Sequence, residues 1–587
     1  MKTELSKLFQ KSFQFKKLEK IERAVLNMTL TEKLVFLILA SILMSSTLFM
    51  LWQVNKEFLV EVPHHGGELS EGIIGTPRFI NPLLAYTDAD RDISALVYSG
   101  LLKATPQGNL VPDLAEKYTV SKDGLKYTFT IRKDATFHDG YSVTADDVIF
   151  TLQKAIDPLL KSPKRPNWEG VTVAKKGTRE VEFIIKNPYS PFLENTTLGI
   201  LPKHIWGNIE SDQFPFSQYN VEPTGSGPYI IKKLKRDARG LPVYYQLESF
   251  DEYTLGRPYI KDLYIKVYTN EENLLKAYSD GEIESLSNIS PKEAVALKKN
   301  GARIEVSNLP RIFGIFFNQN KASVLSNKAV RLALDKGLNK ENIVSKVLLG
   351  YGVAIDSPIH PGPISARNKT STSSKNGVEE AKKILENDGW KMNPVTKIFE
   401  KKTKKSTEIL KFSVSTANIT ELKLAALMVK EQWNEIGVDV EILVFEQGDL
   451  NQNIIAPRDY DALLFGEIVG RDMDFYPFWH SAGRNYPGLN IALYTNSKVD
   501  KLLEEVRGVL SKEDRIKKYL EFEKEIKKDL PAIFIYSPKF IYIIPDDISN
   551  IQLGQPTISA ERFLNIHNWH IETEKIWKIF IPKKTRI

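Results

Sequence analysis

The sequence contains no cysteine among its 587 residues. Disulfide bonds, thiolate metal ligands and a cysteine nucleophile are therefore excluded, and the fold has to be held by its hydrophobic cores alone. The eight histidines are scattered along the chain apart from the adjacent His64 and His65, and no HExxH pair is present. This pattern predicts no metal site, because protein metal sites need several ligands at close, regular spacing.

Motifs of nucleotide-binding and hydrolytic enzymes are also missing. The sequence has neither a GxxxxGK[ST] loop nor a GxSxG turn. Gly225-Ser226-Gly227 begins like a dinucleotide fingerprint, but Pro228-Tyr229 leads into a predicted strand, whereas a phosphate site requires a helix N-terminus there. We therefore expect a binding protein that uses no cofactor, and not an enzyme.

Beyond the first 33 residues, basic and acidic residues nearly balance. This segment holds eight basic and four acidic residues, so it contributes +4 of the net charge of +7, and the other 554 residues contribute only +3. A surface so close to neutral lacks the basic footprint that nucleic acids require. No nucleic-acid partner is expected.

The chain is too long for one hydrophobic core, because single cores stop growing at about 250–300 residues. Strand-like runs alternate with helical ones along it. Tyr264–Val267 precedes the helical Glu271–Asp280, and the helical Glu421–Glu435 precedes the strand-like Val438–Phe445. Alternation of this kind predicts two or three lobes of the α/β class.

One apolar run is long enough to cross a membrane. Leu34–Asn55 holds 22 uncharged residues, about 33 Å of helix, and Thr29 with Glu32 forms a capping box before it. The positive-inside rule places residues 1–33, a basic tail, in the cytoplasm and everything after the span outside. A cleaved signal peptide is the alternative, but its apolar region would be about 7–15 residues long. We predict an uncleaved single-pass anchor, followed by a juxtamembrane linker at 56–67.

The stretch from Tyr98 to Thr151 consists of short elements separated by tight turns. Apolar and polar residues alternate in Lys126–Arg132, as in a strand with one solvent-exposed face. Asp-Gly turns precede and follow this strand. Thr144, followed three residues later by Asp147, predicts the start of a helix over Ala145–Lys154.

The same stretch resembles the signature region of the family 5 extracytoplasmic solute-binding proteins, the peptide- and nickel-binding receptors of ABC importers. The resemblance is carried by YxGLL, VPDLAEKY, SKDGLKYTFTIRKDATFHDG and TADDVIFT. Pro223–Tyr229 is similar to the family's GTGPY turn, and Phe317-Asn318 with Asn327–Leu334 resembles its FN…VRxAL segment. The likeness extends from about Glu68 to Asn568.

The resemblance implies a two-lobed fold of the periplasmic-binding-protein type, in its large three-domain form, within about 68–570. We expect the first lobe at 68–105, 206–310 and 531–570, an extra subdomain at 106–205 and the second lobe at 311–530. The chain would cross between lobes near Leu309–Asn320 and again near Asp529–Ile535. Residues 571–587 form a tail outside the resemblance. Many relatives are tethered through an N-terminal cysteine, which this chain replaces with its apolar helix.

The resemblance also implies where a solute binds. Peptide receptors of the family hold the ligand's ammonium group with an aspartate in the loop that corresponds to Gly466–Ser481. Asp472 is the first candidate and Asp474 the second, with Arg471 beside them. The family's Trp-Gly-Gly-Asp approach is replaced by Glu467–Arg471, which leaves the peptide specificity open. In the structural alternative, Asp472 caps a turn or pairs with Arg471.

Aromatic residues are expected along the cleft, with Tyr98 and Trp479 as candidates and a place in the core as the alternative for both. His138 is expected to be structural, and nickel binding through His480 is a further alternative. The resulting hypothesis is a membrane-anchored extracytoplasmic receptor that delivers short peptides to the permease of an ABC importer. The alternatives are a membrane-tethered sensor with this fold, or a receptor for a nickel complex or a sugar.

Overall fold

A computed structural model describes Ala24 and residues 26–361, 376–403, 406–509 and 511–580. The chain forms two compact units, which we call the terminal unit (Met1–His64 with Glu572–Ile587) and the main unit (His65–Ile571). The expected cytoplasmic tail lies outside the described residues as far as residue 23.

The first of the following helices belongs to the terminal unit and the others belong to the main unit. They are α1 (Leu30–Phe58), α2 (Asp88–Val97), α3 (Ala145–Ile156), α4 (Arg165–Trp168), α5 (Phe192–Asn195), α6 (Lys203–Trp206), α7 (Glu271–Ser279), α8 (Pro291–Lys299), α9 (Ser323–Ser326), α10 (Lys328–Lys336), α11 (Lys340–Val347), α12 (Gly377–Asn387), α13 (Thr420–Ile436), α14 (Gln447–Asp449), α15 (Tyr476–Trp479), α16 (Ser497–Gly508) and α17 (Lys512–Asp529).

The strands form several sheets. They are β1 (Leu59–Pro63), β2 (Gly66–Ile74), β3 (Leu102–Ala104), β4 (Leu110–Pro112), β5 (Ala115–Val120), β6 (Lys126–Ile131), β7 (Thr172–Gly177), β8 (Glu180–Ile184), β9 (Tyr229–Arg236), β10 (Pro242–Ser249), β11 (Ile260–Tyr268), β12 (Ser285–Ser287), β13 (Arg303–Asn308), β14 (Arg311–Phe317), β15 (Gly352–Ala354), β16 (Lys391–Met392), β17 (Phe399–Lys402), β18 (Thr407–Ile409), β19 (Lys411–Ala417), β20 (Asp439–Phe445), β21 (Ala462–Ile468), β22 (Ala532–Ile544) and β23 (Thr573–Trp577).

The terminal unit contains the predicted membrane span. Its α1 is 29 residues long, apolar enough to cross a membrane, and has no buried residue. The predicted capping box is present, because the Thr29 N–H donates to Glu32 Oε2 at 2.8 Å and the Glu32 N–H donates to Thr29 Oγ1 at 3.4 Å. The helix runs to Phe58, past the predicted end at Asn55, and β1 follows it directly. Part of the expected linker at 56–67 is therefore regular structure.

The C-terminal tail that begins at residue 571, for which sequence analysis predicts no role, contains the strand β23. β23 pairs antiparallel with β1, with Leu59 opposite Trp577 and Pro63 opposite Thr573. The two strands form a sheet of their own within the terminal unit.

In the main unit, β22 joins the two lobes. Its first part, Ala532–Tyr536, pairs with β14 in the second lobe, where the strand order is β20-β19-β21-β14-β22. Its second part, Lys539–Ile544, pairs with β13, and the first lobe continues as β22-β12-β2-β11-β10-β9. Pro538 lies where the partner changes, and Leu309 N–H donates to its carbonyl oxygen at 3.3 Å.

The two crossings between lobes lie side by side at this point. The first, at Leu309-Pro310 between β13 and β14, falls within the predicted range. The second falls at Ser537-Pro538, a few residues later than the expected crossing, because Ala532–Tyr536 still belongs to the sheet of the second lobe.

The cores follow the alternation of side chains along β22. In the first lobe, Phe540, Tyr542 and Ile544 join the large core on one face of the sheet. Ile541 and Ile543 join a smaller core on the other face, with α7 and α8. In the second lobe all five residues from Ala532 to Tyr536 are buried in one core, since helices cover both faces of the sheet there.

The extra subdomain is built on the four-stranded sheet β5-β6-β8-β7. Tyr127, Phe129 and Ile131 of β6 are at most 1% exposed, as the alternating pattern predicted. The Thr144 N–H donates to Asp147 Oδ2 at 2.8 Å at the start of α3, where the sequence predicted a helix. The core of the subdomain is continuous with that of the first lobe.

Gly314 of β14 should be irreplaceable, because a Cβ atom there would lie 2.7 Å from the Ile533 carbonyl oxygen of β22. We expect Gly314→Ala to lower the free energy of unfolding by about 1–3 kcal/mol, since a packed strand pair has to separate to admit the methyl group. Thermal unfolding of the full chain in detergent measures the effect. Gly448→Ala is the control because a Cβ there meets nothing within 4 Å. Equal stability of the two variants would contradict the tight β14–β22 packing.

Candidate ligand site between the two lobes

The loop singled out from the sequence lies where the lobes meet. It joins β21 to α15, and its first residue, Val469, donates its N–H to the Pro310 carbonyl oxygen in the first crossing at 2.9 Å. Met473 has a φ of +53°, and its N–H donates to the Gly470 carbonyl oxygen at 2.9 Å, which closes a tight turn. The three candidate charged residues therefore sit on a turn that is tied to the crossing between the lobes.

Arg471 links the second lobe to both other parts of the main unit. Its guanidinium forms ion pairs with Glu194 of α5, in the subdomain, and with Glu561 of the first lobe at 2.9 Å. The Arg471 side chain is 10% exposed. Because its partners belong to the subdomain and the first lobe, both contacts bridge the second lobe and the rest of the main unit.

Glu561 is held in place by its neighbour Arg562. Arg562 is fully buried and contacts both oxygens of Asp92 in α2 at 2.8 Å and Glu71 of β2 at 3.0 Å. Tyr542 of β22 donates its hydroxyl to Glu71 at 2.8 Å. Burial raises the pKa of both carboxyl groups, against the lowering effect of the guanidinium. The turn that carries Glu561 is thus anchored to the sheet and helix of the first lobe.

Asp474 is fully engaged within the closed structure. Arg507 of α16 donates Nε to Asp474 Oδ1 at 3.0 Å and a second N–H to Oδ2 at 2.6 Å, a bidentate pair. The Arg507 guanidinium also stacks 3.8 Å from the ring centre of Tyr476. The backbone carbonyl oxygen of Arg507 accepts the Ser190 N–H of the subdomain at 2.8 Å. A cavity of about 400 Å³ opens beside this contact, with Tyr189 and Arg507 in its wall.

Asp472 differs from its neighbours. Its carbonyl oxygen accepts the Tyr519 hydroxyl at 3.2 Å. Among residues 26–361, 376–403, 406–509 and 511–580, no cation or hydrogen-bond donor pairs with its carboxylate. Burial raises the pKa of this carboxyl, although Arg515 and Arg471 lower it. A half-buried carboxylate without a partner is the kind of group that a ligand's ammonium satisfies.

The interface is rich in charge of both signs. Burial raises the pKa of Glu194 to about 7, although Arg471 lowers it, and the charges of Asp472 and Glu561 raise it further. The carboxyls here are those of Glu194, Asp472, Asp474 and Glu561, and the cations that act on them are Arg471, Arg507, Arg515 and Lys512. Arg471 and Arg507 are held in ion pairs, whereas the Asp472 carboxylate makes no direct contact with a cation among the described residues.

The two aromatic candidates lie in cores, which corrects their expected place along the cleft. Trp479 is 0% exposed and packs against Phe316 and Phe534 in the second lobe. Tyr98 is 6% exposed and closely packed on Gly199 in the core of the first lobe. Neither ring is placed to contact a solute in this conformation. Glu467, at the end of β21, is 3% exposed, and burial raises its pKa well above the usual range.

The histidines near the site have structural contacts. His480 accepts the Ala482 N–H on Nδ1 at 3.1 Å, and its Nε2 lies 3.2 Å from Glu504 Oε1. His138 contacts the Gly227 carbonyl oxygen through Nε2 at 3.0 Å and accepts the Gly225 N–H on Nδ1 at 3.3 Å. Burial lowers the pKa of His138 to about 4, so it is neutral at physiological pH.

Sequence analysis did not predict the residues that face the loop. Glu194 is 277 residues away from Arg471 and Tyr189 is 285 residues away from Asp474. Glu561 lies well beyond Arg471 in the chain, outside the loop and its neighbouring elements. Each stands in a segment with no charge pattern of its own. Only the folded arrangement brings them together.

Two α/β lobes that share a pair of crossing segments, with charged side chains of both lobes meeting between them, define a solute-binding protein that closes around its ligand. Comparison with known proteins agrees with this class. Residues 109–487 match the family described as bacterial extracellular solute-binding proteins, family 5 Middle. The chain belongs to this family.

The relatives cover nearly the whole main unit. The chain is 31% identical over 520 residues to the oligopeptide-binding protein AppA of Bacillus subtilis, which covers 86% of this chain and 92% of AppA. The crystal structure of AppA with a nonapeptide matches with a TM-score of 0.65, 29% identity and coverage of 87% of this chain and 100% of AppA. NikZ of Campylobacter jejuni in complex with Ni(L-His) matches with a TM-score of 0.66, 25% identity and coverage of 86% and 99%.

Removing Arg471 should favour the open form. Arg471→Ala leaves Glu194 and Glu561 facing each other without a cation, and charged hydrogen bonds contribute about 1.5–3 kcal/mol each. We expect the closed-to-open ratio of the ligand-free protein to fall by about tenfold or more. Single-molecule energy transfer between dyes on Lys298→Cys in α8 and Glu431→Cys in α13 measures the ratio, and the absence of native cysteine makes the labelling specific.

The matched control for this variant is Arg236→Ala. Arg236 pairs with Glu222 at 2.8 Å inside the first lobe, so its loss removes an ion pair without touching the interface. If both variants leave the ratio at the wild-type value, the Arg471 contacts do not hold the lobes together.

Closure should depend on pH through Glu194. In the open form this carboxyl is hydrated and titrates near its usual pKa of about 4.5, whereas closure raises the pKa to about 7. Closing therefore takes up a proton between these values, so the closed form is most favoured below pH 4.5 and loses this contribution as pH rises through 7. Glu194→Gln should flatten the pH dependence of the same energy-transfer signal. A slope that survives in this variant would assign the effect to Asp472, whose pKa burial also raises.

Proposed function

We propose that the protein is the membrane-anchored receptor of an ABC importer, which binds short peptides between its lobes and delivers them to a permease. The observation that carries the proposal is the Asp472 carboxylate, which is half-buried at the interface and contacts no cation directly among the described residues. A peptide's ammonium group would supply the missing cation there. Peptide binding by the relatives supports this choice of ligand, since AppA was crystallised with a nonapeptide.

Each charged residue of the loop has a distinct role in this proposal. Asp472 holds the ligand's ammonium, Arg471 closes the lobes through Glu194 and Glu561, and Asp474 fixes Arg507 against the subdomain. The ligand enters the open cleft, and the lobes rotate about the crossings at Leu309-Pro310 and Ser537-Pro538. Closure then desolvates the ammonium and strengthens its attraction to the carboxylate.

The anchor is α1. Its length and apolar composition fit a membrane span, and the capping box with Lys33 fixes its cytoplasmic end. The main unit would then lie outside the cytoplasm, tethered beside the permease, without the lipid that a cysteine would carry.

Neutralising Asp472 should abolish recognition of the ammonium group. We expect Asp472→Asn to weaken binding of a pool of di- to nonapeptides by at least about thirtyfold, because removing one partner of a desolvated charge pair costs about 2–5 kcal/mol. Calorimetric titration of the full chain in lipid nanodiscs measures the affinity. Asp546→Asn, on an exposed turn of the first lobe, is the control.

N-acetylated copies of the same peptides make this test specific. If Asp472 contacts the ammonium, acetylation and Asp472→Asn remove the same interaction and their effects are not additive. Additive losses would place the ammonium elsewhere. A protein that ignores the whole pool would exclude peptides as ligands, and stimulation of a partner ATPase by the loaded receptor would separate import from sensing.

A further inference from the structure

The C-terminal strand is unexplained by solute binding. β23 lies in the terminal unit, outside the two lobes, and pairs only with β1 among the described strands. This pairing sets the direction of the C-terminal segment. β1 leads away from the end of α1, so the antiparallel β23 leads back to it, and Trp577 ends opposite Leu59, the first residue after the helix.

Ring contacts locate the end of β23 at the end of the helix. The ring of Trp577 stacks on that of Phe58, the last residue of α1, with centroids 6.3 Å apart. Phe58 lies three residues beyond the apolar span Leu34–Asn55, about 4.5 Å along a helix. The polar headgroup region is about 5–7 Å thick on each side of a bilayer. Trp577 is therefore at headgroup height if α1 crosses the membrane.

The residues at this end of β23 are apolar and exposed. Trp577 is 42% exposed, Ile579 67% and Phe580 71%, and Lys578–Phe580 form a single 3₁₀ turn that no core covers. Lys575 and Lys578 supply positive charge, and the sequence from Lys575 onward contains no acidic residue. The acidic Glu572 and Glu574 stand at the opposite end of the strand. Along residues 572–578, the acidic side chains thus come first and the basic ones follow, toward the end that lies next to α1.

We propose that Trp577–Phe580 is a second membrane contact, inserted in the outer leaflet beside the anchor. Tryptophan is favoured at headgroup level, where its ring is apolar and its N–H stays hydrated, and lysine attracts anionic lipids. The continuity with α1 favours lipid over a protein partner, because the turn starts where the span ends. The inference rests on the proposed anchoring by α1.

The experiment reads the depth of single labels in the full chain. Ile579→Cys, Leu43→Cys and Thr573→Cys are each labelled with an NBD fluorophore and reconstituted into vesicles of phosphatidylcholine and phosphatidylglycerol without other proteins. The lipids carry nitroxide quenchers either at the headgroup or deep in the acyl chain. Thr573 is the matched control, on the same strand but opposite Pro63, at the far end of β1.

We expect headgroup quenchers to reduce the emission from position 579 by about half or more and that from position 573 only slightly. Replacing phosphatidylglycerol by phosphatidylcholine should lessen the quenching at 579, because the lysines lose their attraction. Deep quenching at position 43 with none at 579 would overturn the inference while leaving the anchor intact. No quenching at position 43 would overturn the anchoring by α1 and the inference with it.

Discussion

The main unit depends on one strand that belongs to both lobes. β22 contributes Ala532–Tyr536 to one sheet and Lys539–Ile544 to another, so the backbone hydrogen bonds of both lobes converge on thirteen consecutive residues. Pro538 separates the two parts, and a proline cannot donate a ladder hydrogen bond. Its carbonyl oxygen still accepts the Leu309 N–H, and β15 pairs with Tyr536–Pro538, so the change of partner lies within continuous pairing.

Closure is held by charges that are themselves fixed by buried charges. Arg562 lies between Glu71 and Asp92 without access to solvent and holds the turn on which Glu561 meets Arg471. Removing a single partner from such a cluster costs about 3–5 kcal/mol. The site thus joins a first lobe fixed by buried charges to a loop on the second lobe through the ion pair of Arg471 with Glu561.

Local sequence patterns predicted helices and strands, but they did not predict which side chains meet in the folded protein. The helix expected at Glu421–Glu435 is present as Thr420–Ile436, and Gly437, with a φ of +102°, ends it as expected. The loop predicted at Gly466–Ser481 includes the end of β21 and all of α15, so the irregular segment with Asp472 is shorter than expected, at residues 469–475. Periodicity carries no information about contacts between residues far apart in the chain, so Glu194, 277 positions from Arg471, was not predicted, and neither was Glu561. Trp479 and Tyr98 look the same in sequence whether they line a cleft or fill a core, and only packing distinguishes the two.

The pairing of β1 with β23 means that the main unit leaves the terminal unit at two points, after His64 and before Glu572. The first connection leads along the chain through β1 directly to α1, whereas the second leads to β23, which is held to β1 only by strand pairing. A protease that cut between β1 and β2 would leave the main unit attached to the helix by a ladder of five residue pairs. Isolated two-stranded ribbons are marginally stable in water. With α1 in a membrane, as we propose, release of the cut main unit would be governed by the rate at which this ribbon separates.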